Sequence, residues 1–239
     1  MPQELQISKL KKDYFKYVLT WADRKKLLKS RTKFSVKWDA DGDRVFFKDE
    51  KNQKVPSYFI GALLAKIIQK KYPKAKILHD ARLFWAIQET AKNTHACKAG
   101  WSNFLNYMRK NKIFFGVEAS GHYYFNREFV INDSLIPILL IVEQNKSLSE
   151  LVKSYRQKYF ISGEINFKKK INLKELEKKY QDAKISHLDG LSIEYKNWRF
   201  NIRQSQTENL WRLNIEARSK NILKQKQKEL EKIIKTPFK

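Results

Sequence analysis

The arrangement of apolar residues constrains the fold of this chain more than any other feature of its 239 residues. Up to about residue 144, short apolar runs typical of strands alternate with amphipathic segments typical of helices. One predicted helix opens at Pro56-Ser57 and ends before Pro73, and further helices are predicted at 82–94, 101–111 and 134–144. Such an alternation predicts an α/β domain built in layers.

The pattern changes between residues 146 and 160, where we place a boundary. Apolar runs separated by short polar segments then follow at 191–195, 198–203 and 210–217, which predicts antiparallel strands. A final helix is predicted at 219–234. This part is typical of an α+β unit, whereas residues 3–30 are predicted to form one or two basic helices.

The formal net charge is +25, yet the lysines are scattered and no basic run exceeds three residues. Nucleic-acid-binding segments usually concentrate their charge, so we do not expect nucleic acid as the partner. The charge favours any anionic ligand, and a lysine-rich genome would explain it equally well. The single cysteine, Cys97, fits a reducing compartment, and no apolar run is long enough to span a membrane. We therefore expect a cytoplasmic protein without a membrane partner.

Three carboxylates and an arginine stand together in Trp38-Asp39-Ala40-Asp41-Gly42-Asp43-Arg44, between two strand-like runs. Because neighbouring carboxylates repel one another, a hard divalent cation with oxygen ligands is the natural candidate to hold them. Arginine suits phosphate, so a metal beside Arg44 suggests phosphoryl chemistry.

Three other interpretations of this acidic run stay open. A hairpin would use Asp41-Gly42 as its turn. A calcium loop of the EF-hand type would find its twelfth-position acid in Glu50, although Arg44 takes the glycine position and the flanks resemble strands. The third interpretation is a solvated acidic cluster without a ligand, which the apolar neighbours Trp38 and Val45 argue against.

Two later loops also concentrate polar groups between strands. The loop Gly116-Val117-Glu118-Ala119-Ser120-Gly121-His122 offers a carboxylate and a hydroxyl that suit sugar hydroxyls, and an imidazole that can exchange a proton. The loop Arg203-Gln204-Ser205-Gln206-Thr207-Glu208 offers an arginine, hydroxyls and backbone N–H groups for an anion. The simpler interpretation is a polar hairpin loop for the first and a polar turn for the second.

The order of the three motifs resembles that of the α-D-phosphohexomutase superfamily, most closely its bacterial phosphomannomutase/phosphoglucomutase branch. Ser162–Phe167 and His187–Glu194 add to the resemblance, which runs from about Lys33 to the C-terminus. It implies an α/β fold in three parts. These are a helical segment with a remnant of the metal-loop domain in residues 1–44, a layered α/β sugar-binding domain in 45–155, and an α+β phosphate-binding domain with an antiparallel sheet in 156–239.

The resemblance also implies a role for each motif. Mg²⁺ would be bound by Asp39, Asp41 and Asp43. The catalytic groups would be Arg44, beside the transferring phosphoryl group, together with Arg82 and His122 in acid–base steps. The substrate would be held by two sets of residues: Lys98, Glu118 and Ser120 at the sugar, and Arg203, Ser205, Gln206 and Thr207 at the phosphate that does not react.

The chain departs from the family pattern at the nucleophile. No serine here is followed by His-Asn-Pro, as in the family's Thr-x-Ser-His-Asn-Pro loop. The family's Lys-x-Gly-His motif reads Lys98-Ala99-Gly100-Trp101, Val117 replaces a glycine, and Asn209 replaces a proline. We therefore expect a hexose phosphate substrate, Mg²⁺ as cofactor, and a phosphoserine from a separate N-terminal chain, without which the isolated chain would be inactive.

The resulting hypothesis is an isomerase that transfers a phosphoryl group within a mannose or glucose phosphate. A catalytically inactive sugar-phosphate-binding homologue is the first alternative, because it would explain the substituted loops. A basic nucleic-acid-binding protein is the second, and only the net charge supports it.

Overall fold

A computed structural model describes residues 12–205 and 207–235 of the chain. Its first part contains α1 (residues 12–19) and α2 (Arg24–Lys29), followed by an antiparallel sheet of β1 (Phe34–Trp38), β2 (Val45–Asp49) and β3 (Lys54–Val55). Trp38 pairs with Val45, so residues 39–44 connect a β-hairpin. The strands predicted around the aspartates are therefore confirmed, and the predicted helices at 3–30 lie partly outside the described residues.

The middle unit contains a five-stranded mixed sheet with helices on both faces. Its strands are β4 (Ile77–Asp80), β5 (Thr94–Cys97), β6 (Phe115–Val117), β7 (Tyr123–Asn126) and β8 (Val130–Asn132), in the order β5-β4-β6-β7-β8. Strand β4 runs parallel to β5 and β6, whereas β7 and β8 pair antiparallel. Its helices are α3 (Ser57–Lys71), α4 (Trp85–Thr90), α5 (Trp101–Asn111), α6 (Leu135–Val142) and α7 (Leu148–Lys158).

Both faces of this sheet are apolar because successive strand residues point to opposite sides. Ile77 lies in a core shared with α3, α6, α7 and the first sheet, whereas Leu78 lies in a second core against α5. Tyr123 and Tyr124 divide between the same two cores. Each such buried side chain contributes roughly 1.5–3 kcal/mol relative to exposure, so the two cores fix the layered arrangement.

The C-terminal unit is an antiparallel sheet with the order β10-β11-β12-β13-β9. Its strands are β9 (Phe160–Phe167), β10 (Lys184–Ser186), β11 (Leu191–Glu194), β12 (Trp198–Gln204) and β13 (Trp211–Ala217), and its helices are α8 (Leu173–Lys178) and α9 (Lys220–Lys235). Leu230 and Ile234 of α9 pack into its core. The predicted α/β fold class with an antiparallel C-terminal sheet is confirmed, while the boundaries after residues 44 and 155 stay predictions.

The helix predicted at 82–94 is found only at Trp85–Thr90, so the prediction was wrong at both ends. Helix α4 ends at Thr90, Ala91 has an extended backbone, and Asn93 has a left-handed φ of 54°. Asn93 accepts a hydrogen bond from the Ile77 N–H, which starts the pairing of β5 with β4. Asparagine tolerates this conformation better than most residues, so the chain turns here and continues as a strand.

A buried polar cluster joins the C-terminal sheet to the middle unit. Arg199 of β12 and Glu216 of β13 are fully buried and lie 3.6 Å apart. The Arg199 guanidinium donates to the carbonyls of Ala81 (2.8 Å) and Arg82 (2.6 Å), and Glu216 accepts from the Tyr58 hydroxyl of α3. The pairing and these hydrogen bonds offset part of the cost of burying the two charges. It also fixes the backbone at residues 81 and 82, beside the site described below.

None of the helices within residues 12–205 and 207–235 has the length and apolar character needed to cross a membrane.

Candidate active site

Two buried charged residues, Asp80 and Arg82, lie at the end of β4 and in the turn that follows it. Arg82 Nη2 lies 2.7 Å from Asp80 Oδ2, and the Arg82 N–H donates to Asp80 Oδ1 at 2.8 Å. Burial alone would raise the pKa of Asp80, but the neighbouring charge of Arg82 lowers it below its ordinary value. Conversely, Asp80 outweighs the effect of burial on Arg82 and raises its pKa. Both side chains are therefore ionised at neutral pH.

The loop between β6 and β7 lies beside this pair. The Ala119 N–H donates to Asp80 Oδ2 at 2.8 Å, and the Glu118 N–H donates to the His122 carbonyl at 3.1 Å. Gly121 has a φ of +100°, and a β-carbon there would lie 3.2 Å from Phe46 and from the Ser57 hydroxyl. Glycine is therefore required for the turn and for the close approach of the first sheet.

Glu118 is buried and surrounded by hydrogen-bond donors. The Gly100 N–H lies 2.7 Å from its Oε1, the Tyr124 hydroxyl 2.8 Å from its Oε2, and His122 Nδ1 3.3 Å from the same oxygen. Burial would raise the pKa of Glu118, but the hydrogen bond with His122 and the charge of Arg82 lower it. The carboxylate thus carries a negative charge that holds the imidazole in place.

His122 connects this loop to the acidic run. Its Nε2 lies 3.1 Å from Asp43 Oδ2 and accepts from Arg44 Nε at 3.2 Å, while its Nδ1 lies 3.1 Å from the Ser120 hydroxyl. One carboxylate therefore stands at each ring nitrogen, Glu118 on one side and Asp43 on the other. Such a ring can gain or lose a proton with a compensating charge nearby.

The three aspartates differ in their surroundings. Asp39 accepts from the Arg44 N–H at 3.3 Å. Burial would raise the pKa of Asp39, but this bond, a hydrogen bond with Asp43 and the charge of Arg44 together lower it. Asp43 Oδ1 is buried without a hydrogen-bond partner in the described residues, and Asp41 is exposed. Within residues 12–205 and 207–235, no group of three or more acidic, histidine or cysteine side chains is gathered closely enough to hold a metal ion.

The third motif begins in the last two residues of β12 and continues into the loop after it. Arg203 is mostly buried, with its Nε 3.7 Å from Asp189 Oδ2, and Ser205 accepts from the N–H groups of Thr207 and Glu208. Burial and the nearby charge of Arg82 lower the pKa of Arg203. Thr207 is exposed, and Gln206 lies outside the described residues.

An open cleft of about 960 Å³ brings several of these residues together. Its lining includes Asp39, Arg44, Arg82 and Ser120 among the predicted site residues. Glu118 and His122 form the layer behind Ser120, whereas Lys98 is exposed and does not line the cleft. Arg203 and Asp43 do not line it either.

Sequence reasoning missed the roles of two charged residues at this site, Asp80 and Glu164, and did not predict that Arg212 pairs with Glu164. Glu164 and Arg212 line the cleft from β9 and β13 and lie 3.5 Å apart, and Glu164 is 3.9 Å from Arg82 Nη1. An available signal for Asp80 was its position at the end of a short strand with the apolar residues Ile77 and Leu78, where polar groups of α/β sheets commonly serve ligands. No comparable signal marks Glu164, because its contact with Arg212 depends on the strand pairing.

The sequence is similar to phosphohexomutases over most of its length. Residues 56–159 match the family model of phosphoglucomutase/phosphomannomutase, alpha/beta/alpha domain III. A protein from Xanthomonas campestris pv. campestris (strain B100) described as "Phosphohexose mutases" is 39% identical over 199 residues, 77% of this chain and 44% of the relative. The phosphomannomutase of Escherichia coli (strain K12) is 36% identical over 209 residues, 82% of this chain and 46% of the relative.

A solved structure supports the fold. A phosphoglucomutase/phosphomannomutase family protein from Burkholderia thailandensis superposes with a TM-score of 0.72 at 23% identity, covering 87% of this chain and 47% of that one. The chain belongs to the α-D-phosphohexomutase superfamily. It spans about half the length of the curated relatives it matches.

Proposed function

We propose that this chain supplies the sugar-binding and phosphate-binding half of a phosphohexomutase that acts on mannose or glucose phosphates. The observation that carries the proposal is the continuous chain of contacts from Asp43 through His122 and Glu118 to Arg82. These contacts join the acidic loop, the loop between β6 and β7, and the turn after β4 around one cleft. The sequence similarity to phosphomannomutases supports the substrate class.

Phosphoryl transfer depends mainly on positioning and on electrostatic stabilisation of the phosphoryl oxygens. Arg44 and Arg82 line the cleft and would bind these oxygens, and Arg212 adds a third positive charge. The Ser120 hydroxyl at the same surface would accept or donate a hydrogen bond to a sugar hydroxyl. Arg203, Ser205, Gln206 and Thr207 would bind the phosphate that does not react.

His122 is the residue we assign to proton transfer. It stands behind Ser120, whose hydroxyl contacts its Nδ1, and Glu118 would stabilise the protonated ring. Removing such a general acid–base group typically lowers the rate about 10²–10⁴-fold. Arg82, held by Asp80, would keep its charge throughout the reaction and would orient the phosphate rather than exchange a proton.

The residues of the acidic loop fit Mg²⁺ by their chemistry. Three carboxylates alternate along the loop, and the buried Asp43 Oδ1 has no hydrogen-bond partner in the described residues. We propose that Asp39, Asp41 and Asp43 hold the ion, which when bound supplies electrostatic stabilisation of phosphoryl oxygens. Asp39 and Asp43 would then exchange contacts with Arg44 and His122 for contacts with the metal.

The phosphoserine that the family uses as its phosphoryl carrier is proposed to come from a separate chain. The motivation is that no serine in this sequence is followed by His-Asn-Pro. A hydroxyl in that role needs a neighbouring metal and a fixed approach to the sugar, which the cleft would provide.

The test is an assay of mannose and glucose phosphate isomerisation with Mg²⁺ and a hexose bisphosphate activator, with and without a serine-bearing N-terminal half. We expect turnover only in the mixture, and a loss of at least ~100-fold with His122→Asn. Lys224→Gln on the exposed side of α9 is the matched control and should leave the rate unchanged. Absence of turnover in every mixture would remove the proposed activity.

A second candidate function is sugar-phosphate binding without turnover. Two observations favour it. Both carboxylate oxygens of Glu118 already accept hydrogen bonds from protein donors. In addition, Trp101 replaces a family histidine and is 57% exposed. Calorimetry with mannose 1-phosphate decides between the two. Binding heat that disappears in Arg203→Ala, together with no isomerisation, would establish sugar-phosphate binding without turnover. No binding heat with the natural protein would exclude this function.

A further inference from the structure

A second concave surface differs from the cleft in its composition and in the residues that line it. It is formed by α2, the last turn of α3 and the end of α6, has a volume of about 600 Å³, and shares no lining residue with the cleft. Lysines dominate its lining, which consists of Lys25, Lys26, Lys29, Ile67, Lys70, Lys71, Glu143, Gln144 and Asn145. We call this surface the lysine pocket.

A buried carboxylate organises two of these lysines. The Glu143 side chain is only 2% exposed, with Lys71 Nζ at 2.5 Å and Lys26 Nζ at 3.6 Å. Lys71 also donates to the Trp21 carbonyl at 3.1 Å. Glu143 thus holds two ammonium groups at the pocket wall while offsetting only one of their charges.

The walls of the lysine pocket are also fixed by hydrogen bonds. Asp23 caps α2 by accepting from the Lys25 N–H at 2.9 Å. After α2, the Ser30 hydroxyl donates to the Val142 carbonyl at 2.5 Å, and the Arg31 N–H donates to Asn145 Oδ1 at 2.9 Å. These bonds tie α2 to the end of α6, so the pocket exists without a ligand.

The pocket carries a surplus of positive charge. Five lysines face one glutamate in the lining, and Lys25, Lys29 and Lys70 have no carboxylate partner in the part of the chain that the structure describes. A neighbouring cavity of about 560 Å³ shares Lys71 and adds three further lysines, Lys74, Lys76 and Lys112. Like charges in a concave surface repel one another and attract a compact anion of several charges.

We propose that the lysine pocket binds a ligand with two or more adjacent phosphate groups. Lysine is a flexible point charge that suits phosphate, and one orthophosphate would engage only part of the set. The volume fits a small molecule, and the neighbouring lysines extend the positive surface for a longer phosphate chain. Inorganic oligophosphates and nucleoside polyphosphates share this chemistry. This site is independent of the proposed isomerase activity.

The experiment is isothermal calorimetry of the full chain with tripolyphosphate, ATP and orthophosphate at about 150 mM salt, where charges more than about 8 Å apart are largely screened. The variant is Lys25→Gln/Lys29→Gln/Lys70→Gln. The matched control, Lys220→Gln/Lys224→Gln/Lys228→Gln, removes the same charge from exposed positions on α9. All six side chains are exposed, so thermal melting should show both variants folded.

We expect tripolyphosphate to bind at least ~10-fold more tightly than orthophosphate, a difference of about 1.4 kcal/mol. The pocket variant should weaken this binding at least tenfold, and the α9 variant less than twofold. If ATP binds with the same affinity as tripolyphosphate, the phosphate chain is the recognised group. If ATP binds more tightly, the nucleoside also contributes to the affinity. No binding of tripolyphosphate, equal losses in both variants, or no preference over orthophosphate would overturn the assignment.

Discussion

Replacing Asp80 by asparagine tests whether a single buried carboxylate holds Arg82 in the cleft. Asp80 is 1% exposed, and its Oδ2 accepts from both Arg82 Nη2 (2.7 Å) and the Ala119 N–H (2.8 Å). Asparagine has the same shape but is neutral. If the asparagine NH₂ group takes the place of Oδ2, it faces the two donors Arg82 Nη2 and the Ala119 N–H. If the NH₂ group takes the place of Oδ1 instead, it faces the Arg82 N–H.

The magnitude follows from what remains around Arg82. Its next carboxylates, Glu118 and Glu164, lie 3.7 Å and 3.9 Å away, beyond hydrogen-bond distance. Removing one partner of a buried ion pair typically costs about 3–5 kcal/mol, because the other charge stays buried. Asparagine keeps one acceptor in the turn, so we expect the free energy of unfolding at pH 7 to fall by about 3 kcal/mol.

The pH dependence gives an independent check. The pKa of Asp80 in the folded protein lies below its ordinary value of 3.8, because Arg82 outweighs the effect of burial. The unfolded chain therefore binds the proton first as the pH falls, and the contribution of the carboxylate to stability is lost. The difference between the natural protein and Asp80→Asn should be constant above about pH 5 and shrink as the pH approaches the folded pKa.

Urea denaturation followed by tryptophan fluorescence measures the effect. Glu150→Gln, which breaks an exposed pair with Lys146, is the control and should change stability by less than about 0.5 kcal/mol. A double variant with Arg82→Met should recover part of the loss, since it removes the unpaired charge. A loss below about 1 kcal/mol, or strictly additive effects in the double variant, would refute the idea that Asp80 compensates Arg82.

Three further predictions concern the support of the site. Burial lowers the pKa of His79 from 6.5 to about 4, so the free energy of unfolding should fall by up to ~3 kcal/mol as the pH drops through this range. In melting curves recorded at several pH values, His79→Gln should abolish this pH-dependent loss. At Gly190, with φ +71°, an added β-carbon would lie 2.3 Å from the Ile202 carbonyl, so Gly190→Ala should destabilise the protein by at least ~1 kcal/mol in urea and weaken hexose phosphate binding. Arg199→Met leaves Glu216 buried without its cation and should cost about 3–5 kcal/mol in urea denaturation, partly restored by adding Glu216→Gln.

The elements that were predictable from sequence are those whose apolar pattern is long or strictly alternating. Helix α5 was predicted at 101–111 and is found at Trp101–Asn111, and the strand predicted at 210–217 is found at Trp211–Ala217. Short edge elements were missed: β5, β3 and β8 have two to four residues and little periodicity. Helix α7 was also missed, although Ser147 caps it by accepting from the Glu150 N–H, a recognisable start signal.

The candidate site was predictable where its residues are close in sequence. The three motifs each occupy a few consecutive positions, so composition alone revealed them. The contacts between them were not predictable, because Asp43 and His122 lie 79 residues apart and meet only through the packing of the first sheet on the middle unit. Likewise, Arg212 meets Glu164 only because β13 pairs with β9.

The buried cluster of Arg199, Glu216 and Tyr58 has a consequence for how the protein unfolds. The C-terminal unit has a hydrophobic core of its own and on that basis alone would melt independently. However, separating it would break the hydrogen bonds that Arg199 donates to the carbonyls of Ala81 and Arg82 and the one that Glu216 accepts from Tyr58. The cluster therefore couples the two units, so that they should lose structure in one cooperative transition, and the cleft should disappear in that same transition.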